Sequence, residues 1–94
     1  MPEHDLELTE HAFRLCQQLL RIDTTNPPGN ELPAATLLAD ELSAAGLEPR
    51  VLQSAPGRGN VVARIRGTGE KPPLLLTAHL DVVEADPSRW DYPP

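Results

Sequence analysis

Leu74-Leu75-Leu76-Thr77-Ala78-His79-Leu80-Asp81 is the stretch that decides how this chain reads. The run Leu74 to Ala78 carries no charge and no apolar–polar alternation, the pattern of a strand buried on both faces. Such a strand predicts an α/β layer architecture. His79 and Asp81 stand at its outgoing end, where α/β sheets place their chemistry. Side chains two apart on extended backbone share a face, with Cα atoms about 6.5–7 Å apart, so the Asp81 carboxylate can reach and orient the His79 ring. A metal-ligating histidine usually has such a partner. Taken alone, a His-x-Asp triplet fits a hydrogen-bonded surface histidine better than a ligand. The apolar run before it, and the turn-forming Glu84-Ala85-Asp86-Pro87-Ser88 after Val82-Val83, tip the balance toward function.

Outward from that stretch, the hydrophobic period changes along the chain. From Thr9 to Ile22, Ala12, Phe13, Cys16, Leu19 and Leu20 recur at three- and four-residue steps, which predicts an amphipathic helix with one buried stripe and Thr9 as its N-cap. Asp23-Thr24-Thr25-Asn26-Pro27-Pro28-Gly29 breaks it and predicts a surface loop, with Asn26 as a turn residue. A second helix is expected from near Asn30, with Pro33 in its first turn, Ala34, Leu37, Leu38, Leu42 and Ala45 buried, and Gly46 as a left-handed C-cap. Strands are expected over Pro49 to Gln53 and Asn60 to Arg66, with Arg64 and Arg66 on a solvent face. The fold class is therefore α/β: two helices followed by three strands of a larger mixed sheet, Leu74 to Ala78 being the central one.

Composition narrows the function classes. A formal charge of -6 argues against a nucleic-acid or anionic-membrane surface, since both need a local excess of Lys and Arg. Cys16 is the only cysteine, so no internal disulfide is expected. The acidic opening Met1 to Glu7 lacks the basic start and apolar run of a signal peptide, and no stretch reaches membrane-spanning length, so cytoplasmic residence is the expectation. The 94 residues, with 11 prolines and one each of Phe, Tyr and Trp, allow only a small aliphatic core.

Leu74 to Val83, followed by Asp86-Pro87-Ser88-Arg89-Trp90 and Pro93-Pro94, resembles the first metal-site segment of the di-zinc amidohydrolases, the exopeptidases and deacylases that include acetylornithine deacetylase, succinyl-diaminopimelate desuccinylase, aminoacylase and glutamate carboxypeptidase. Ile22 to Glu31 and Gly59 to Arg64 resemble that family too, so the likeness covers nearly the whole chain. The resemblance implies that His79 is a ligand of one of two zinc ions, and that Asp81, counted with the catalytic apparatus, holds the imidazole without touching the metal. It implies a small-molecule or short-peptide amide substrate and a complete enzyme that can be a homodimer. Imidazole and carboxylate ligands also accept cobalt or manganese. A bridging aspartate, a glutamate base and further ligands belong to later sequence in that family. Residues 1–94 are therefore expected to be the incomplete N-terminal part of a metallohydrolase catalytic domain, inert alone.

Other readings compete. His4 in an expected frayed terminus, His11 and Cys16 do not join His79 in any expected site, and catalytic zinc normally takes three protein ligands. Trp90 and Tyr92 fit the mouth of a cleft or a covered core equally well, while Asp86 and Asp91 suit turns and surface. A non-catalytic binding or assembly module that keeps an enzyme-like segment is the alternative, and it would need a partner over the exposed sheet. No glycine-rich phosphate loop follows a strand and no nucleophile elbow is present, which ranks other α/β hydrolases and nucleotide-binding folds last.

Overall fold

The computed structural model describes residues 2–94. Helix α1 spans Glu3–Leu20 and helix α2 Leu32–Ala44; strands β1 (Arg50–Ala55) and β2 (Arg58–Val62) follow, and a single 3-10 turn covers Pro87–Arg89. The two strands form one antiparallel hairpin, with Val51 opposite Val61, Leu52 opposite Asn60 and a register shift between Gln53 and Ala55. Pro56 and Gly57 make the turn, and Gly57 takes φ +79° there, a region that favours glycine. No helix among the described residues is long and apolar enough to cross a membrane.

Helix α1 begins earlier than the apolar period predicts. The Pro2 carbonyl accepts from the amides of Asp5 and Leu6, and Glu3 and Asp5 place negative charge in the first turn, where the helix dipole favours it. His4 therefore lies within a helix, and Thr9 is not a cap: its hydroxyl donates back to the Asp5 carbonyl at 2.7 Å. The expected stripe finds nothing to cover it. Phe13 is 65% exposed, Leu20 78%, and Cys16 is also exposed, so no residue of α1 is buried. Amphipathic period marks a face that suits burial, and burial itself needs a facing surface.

Helix α2 meets one. It packs on the hairpin, burying Ala34 and Ala35, while Leu37, Leu38 and Leu42 are half-buried and Ala45 is exposed. Pro33 sits in the first turn. Gly46, at φ +89°, ends the helix as expected: its amide returns to the Ser43 carbonyl at 2.9 Å and that of Leu47 to Leu42 at 3.0 Å. The seam between helix and hairpin is closed by small residues and one ion pair. A Cβ on Gly59 would stand 2.6 Å from the Leu32 Cα, so the strand approaches the helix start too closely for any side chain. Beside it, the Nε–H of Arg58 is shared between the two oxygens of buried Glu31, at 3.0 and 2.9 Å.

The third strand does not form. Residues 63–81 run without helix or strand, and Leu74, Leu75 and Leu76 are 85%, 84% and 83% exposed. Arg64 and Arg66 lie in this segment, beyond the end of β2, and so face solvent without being in a strand. The reason is pairing: a strand needs a neighbour for its N–H and C=O groups, and β2 pairs only with β1. The observed sheet is a two-stranded antiparallel one, while the two helices and the α/β character stand. Total exposed surface is 8359 Å², against about 5,300 Å² for a compact monomer of this mass. The surplus includes large apolar side chains, Leu74 to Leu76 and Phe13 among them, that remain available for packing.

With so small a core, the helix–hairpin seam should govern stability. Gly59→Ala is expected to cost about 1–3 kcal/mol through the clash with the Leu32 backbone. Gly67→Ala, where an added Cβ meets nothing within 4 Å, should stay within about 0.5 kcal/mol of the parent. Urea unfolding followed by circular dichroism checks both.

Candidate metal-ligand site

The described residues bring His79 and Asp81 into direct contact. His79 Nδ1 lies 2.8 Å from the Asp81 carbonyl oxygen and 3.0 Å from Asp81 Oδ1. Both are acceptors, so Nδ1 carries the hydrogen, and in the neutral ring Nε2 is left with a bare lone pair. The imidazole side chain is 84% exposed, which leaves Nε2 open to solvent. A bare, outward-facing imidazole nitrogen with its opposite nitrogen tied to a carboxylate is suited to bind a metal ion or to accept a proton.

The backbone around this pair is held from the far side of the sequence. Thr24 is buried, and its hydroxyl donates to the Leu80 carbonyl at 2.8 Å. The Val82 amide donates to the Thr24 carbonyl at 3.2 Å, and the Asn26 amide to the Val82 carbonyl at 2.8 Å, a short parallel pairing centred on Thr25 and Val82. Asp23 Oδ1 accepts from the Thr25 amide at 3.0 Å, and the Gly29 amide donates to the Thr25 carbonyl at 2.8 Å, so the loop is tied at both ends. This loop clasps the segment that carries the site.

Asn26, expected to be only a turn residue, reaches the site itself. Its Nδ2 donates to Asp81 Oδ2 at 3.1 Å, across 55 positions of sequence. The two carboxylate oxygens of Asp81 are thus divided between an amide and an imidazole. The hydrogen bond from Asn26, followed by that from His79, holds the Asp81 carboxyl below its ordinary value. The likeness of Ile22 to Glu31 to the hydrolases marked this loop; nothing in its composition pointed to Asn26 as a partner of Asp81.

The remaining candidates fall elsewhere. His11 Nε2 pairs with Glu41 Oε2 at 2.9 Å, a bridge between the two helices. Asp86 caps the 3-10 turn, its Oδ1 accepting from the amide and hydroxyl of Ser88 at 3.0 and 2.7 Å. Trp90 and Tyr92 are 58% and 83% exposed and cover no core. Among the described residues, no group of three His, Cys, Asp or Glu side chains could hold a metal ion.

Because the folded pKa of Asp81 lies below its ordinary value of 3.8, its bonds add stability that is complete above that value and is lost as pH falls through the folded one. Carbon-13 NMR of the Asp81 carboxyl is expected to show a midpoint below 3.8, and Asp81→Ala should remove this component from the acid limb of the stability curve.

No protein-family model matches the chain, and no solved structure matches it at significance. Among curated proteins, it is 46% identical over 66 residues to the acetylornithine deacetylase of Vibrio cholerae serotype O1, a match covering 70% of this chain and 17% of that protein. To the acetylornithine deacetylase of Vibrio campbellii it is 35% identical over 75 residues, 78% of this chain and 19% of that protein. The chain thus spans less than one fifth of the length of these relatives. Over the matched stretch the chain is similar in sequence to these acetylornithine deacetylases.

Proposed function

We propose that residues 1–94 form the N-terminal part of the catalytic domain of a metal-dependent amide hydrolase, that His79 is a ligand to its metal, and that the 94-residue chain is inert alone. The observation that carries this reading is the His79 ring, held through Nδ1 by Asp81 with Nε2 exposed. The homology to acetylornithine deacetylases supports an amide bond in an N-acyl amino acid or small peptide as the target.

Zinc is the metal this family resemblance favours, with cobalt or manganese acceptable to the same donor type. The donor set of the described residues does not fit a complete site. A catalytic zinc takes three protein ligands, and here one imidazole is offered with no companion group of three candidates. What this chain supplies is one ligand arm of fixed tautomer, the other ligands and the general base coming from outside it.

A separate observation favours a second reading, a non-catalytic binding or assembly module of the same origin: the exposed Leu74-Leu75-Leu76 ribbon invites a partner. The two readings differ in whether His79 matters to turnover.

Replacing the homologous part of the Vibrio cholerae deacetylase with residues 1–94 separates them. The chimera is expected to hydrolyse N-acetylornithine, to lose that activity on His79→Ala, and to lose about 10–100-fold on Asp81→Ala. The isolated chain with added zinc should show no turnover. An active His79→Ala chimera contradicts the ligand role, and turnover by the isolated chain contradicts its inertness.

A further inference from the structure

We propose that Asn26 is a positioning residue of this site: by holding Asp81 Oδ2 it keeps Oδ1 on His79 Nδ1, where the carboxylate joins the Asp81 backbone carbonyl in favouring Nε2 as the bare ring nitrogen. The proposal deepens the reading of His79 as a ligand and rests on it for its purpose, though the geometry is independent of any metal. An imidazole that is 84% exposed has no packing to fix its orientation, so its direction depends on the bonds to Nδ1. One of those comes from the Asp81 carboxylate, whose terminal torsion is soft and settles only where both oxygens find donors. Oδ1 has His79, and Oδ2 has Asn26 at 3.1 Å.

Asn26 is placed to impose that arrangement. Its backbone amide is tied to the Val82 carbonyl at 2.8 Å, so its side chain is presented to Asp81 from the same clasp that fixes residues 80–82. An ordinary turn asparagine spends its side chain on its own backbone. In this loop Asp23 does that, accepting from Thr25, and the Asn26 amide is free to reach across the chain. A donor is needed at this point, since an acceptor would face an anionic oxygen. The recipient of the oriented Nε2 is a divalent cation of the zinc class, to which a neutral imidazole nitrogen is a good donor.

The test is the tautomer of His79, read from nitrogen-15 shifts of the ring in the 94-residue chain at about two pH units above the ordinary imidazole pKa of about 6.5. The parent is expected to show Nδ1 protonated and Nε2 bare. Asn26→Ala, and Asn26→Asp with its similar size and no donor, should both raise the share of ring protonated at Nε2 above the parent's, the Asp81 carbonyl alone remaining to hold the Nδ1 hydrogen, while the Val82 amide resonance stays in place. Parent-like shifts in both variants overturn the positioning role and leave the ligand reading standing. A parent ring protonated at Nε2 overturns both. A tautomer change accompanied by loss of the Val82 amide bond in both variants also overturns the proposal, since Asn26 would then act only by holding the loop.

Discussion

A buried carboxylate sets the geometry of this chain. Glu31 is 6% exposed at the start of α2 and, among the described residues, accepts from the Nε–H of Arg58 at the start of β2. Burying a charge without a partner is costly, so the pair ties the hairpin to the helix start rather than merely decorating the surface. Two glycines make room for it. At Gly29, with φ +75°, an added Cβ would fall 2.8 Å from Glu31 Oε1 and 2.9 Å from Arg58, and Gly59 lets the β2 backbone lie against Leu32. The Leu32 amide completes the seam by donating to the Gly57 carbonyl at 3.0 Å.

The site depends on that seam through one short loop. Gly29 is fixed beside the ion pair and its amide holds the Thr25 carbonyl; Thr24 to Asn26 in turn hold residues 80–82. Fixing the loop therefore fixes the backbone beneath His79. The exposed His79–Asp81 pair adds little to stability, as exposed ion pairs generally do. Its value is directional: a carboxylate and a backbone carbonyl on one ring nitrogen determine what the other offers.

Legibility from sequence followed the range of the forces. Helix α2 and its Gly46 cap are local matters of period and φ, and both read directly from Leu32 to Gly46. His79 and Asp81 are two apart, so their contact is also local. Asn26 and Asp81 meet only because a loop after α1 clasps a segment far along the chain, and no composition rule reports such a meeting. The run Leu74 to Ala78 has strand character in its residues, yet its backbone has no neighbour among the described residues to pair with, and the stripe on α1 likewise has no facing surface. In both cases the pattern records a surface suited to burial while the structure records what is there to bury it. Helix α1 starts early for a different reason, since the Pro2 carbonyl and the acidic first turn extend it beyond its apolar period.

The proposed ligand role requires that His79 present Nε2, and not Nδ1, to a metal. Anomalous diffraction at the zinc edge, on crystals of the gene product purified from its own source, tests it most directly. A metal is expected about 2.0–2.1 Å from His79 Nε2, with Nδ1 still facing Asp81. A metal bound through Nδ1, or a metal-loaded protein in which His79 lies outside the coordination sphere, would contradict it.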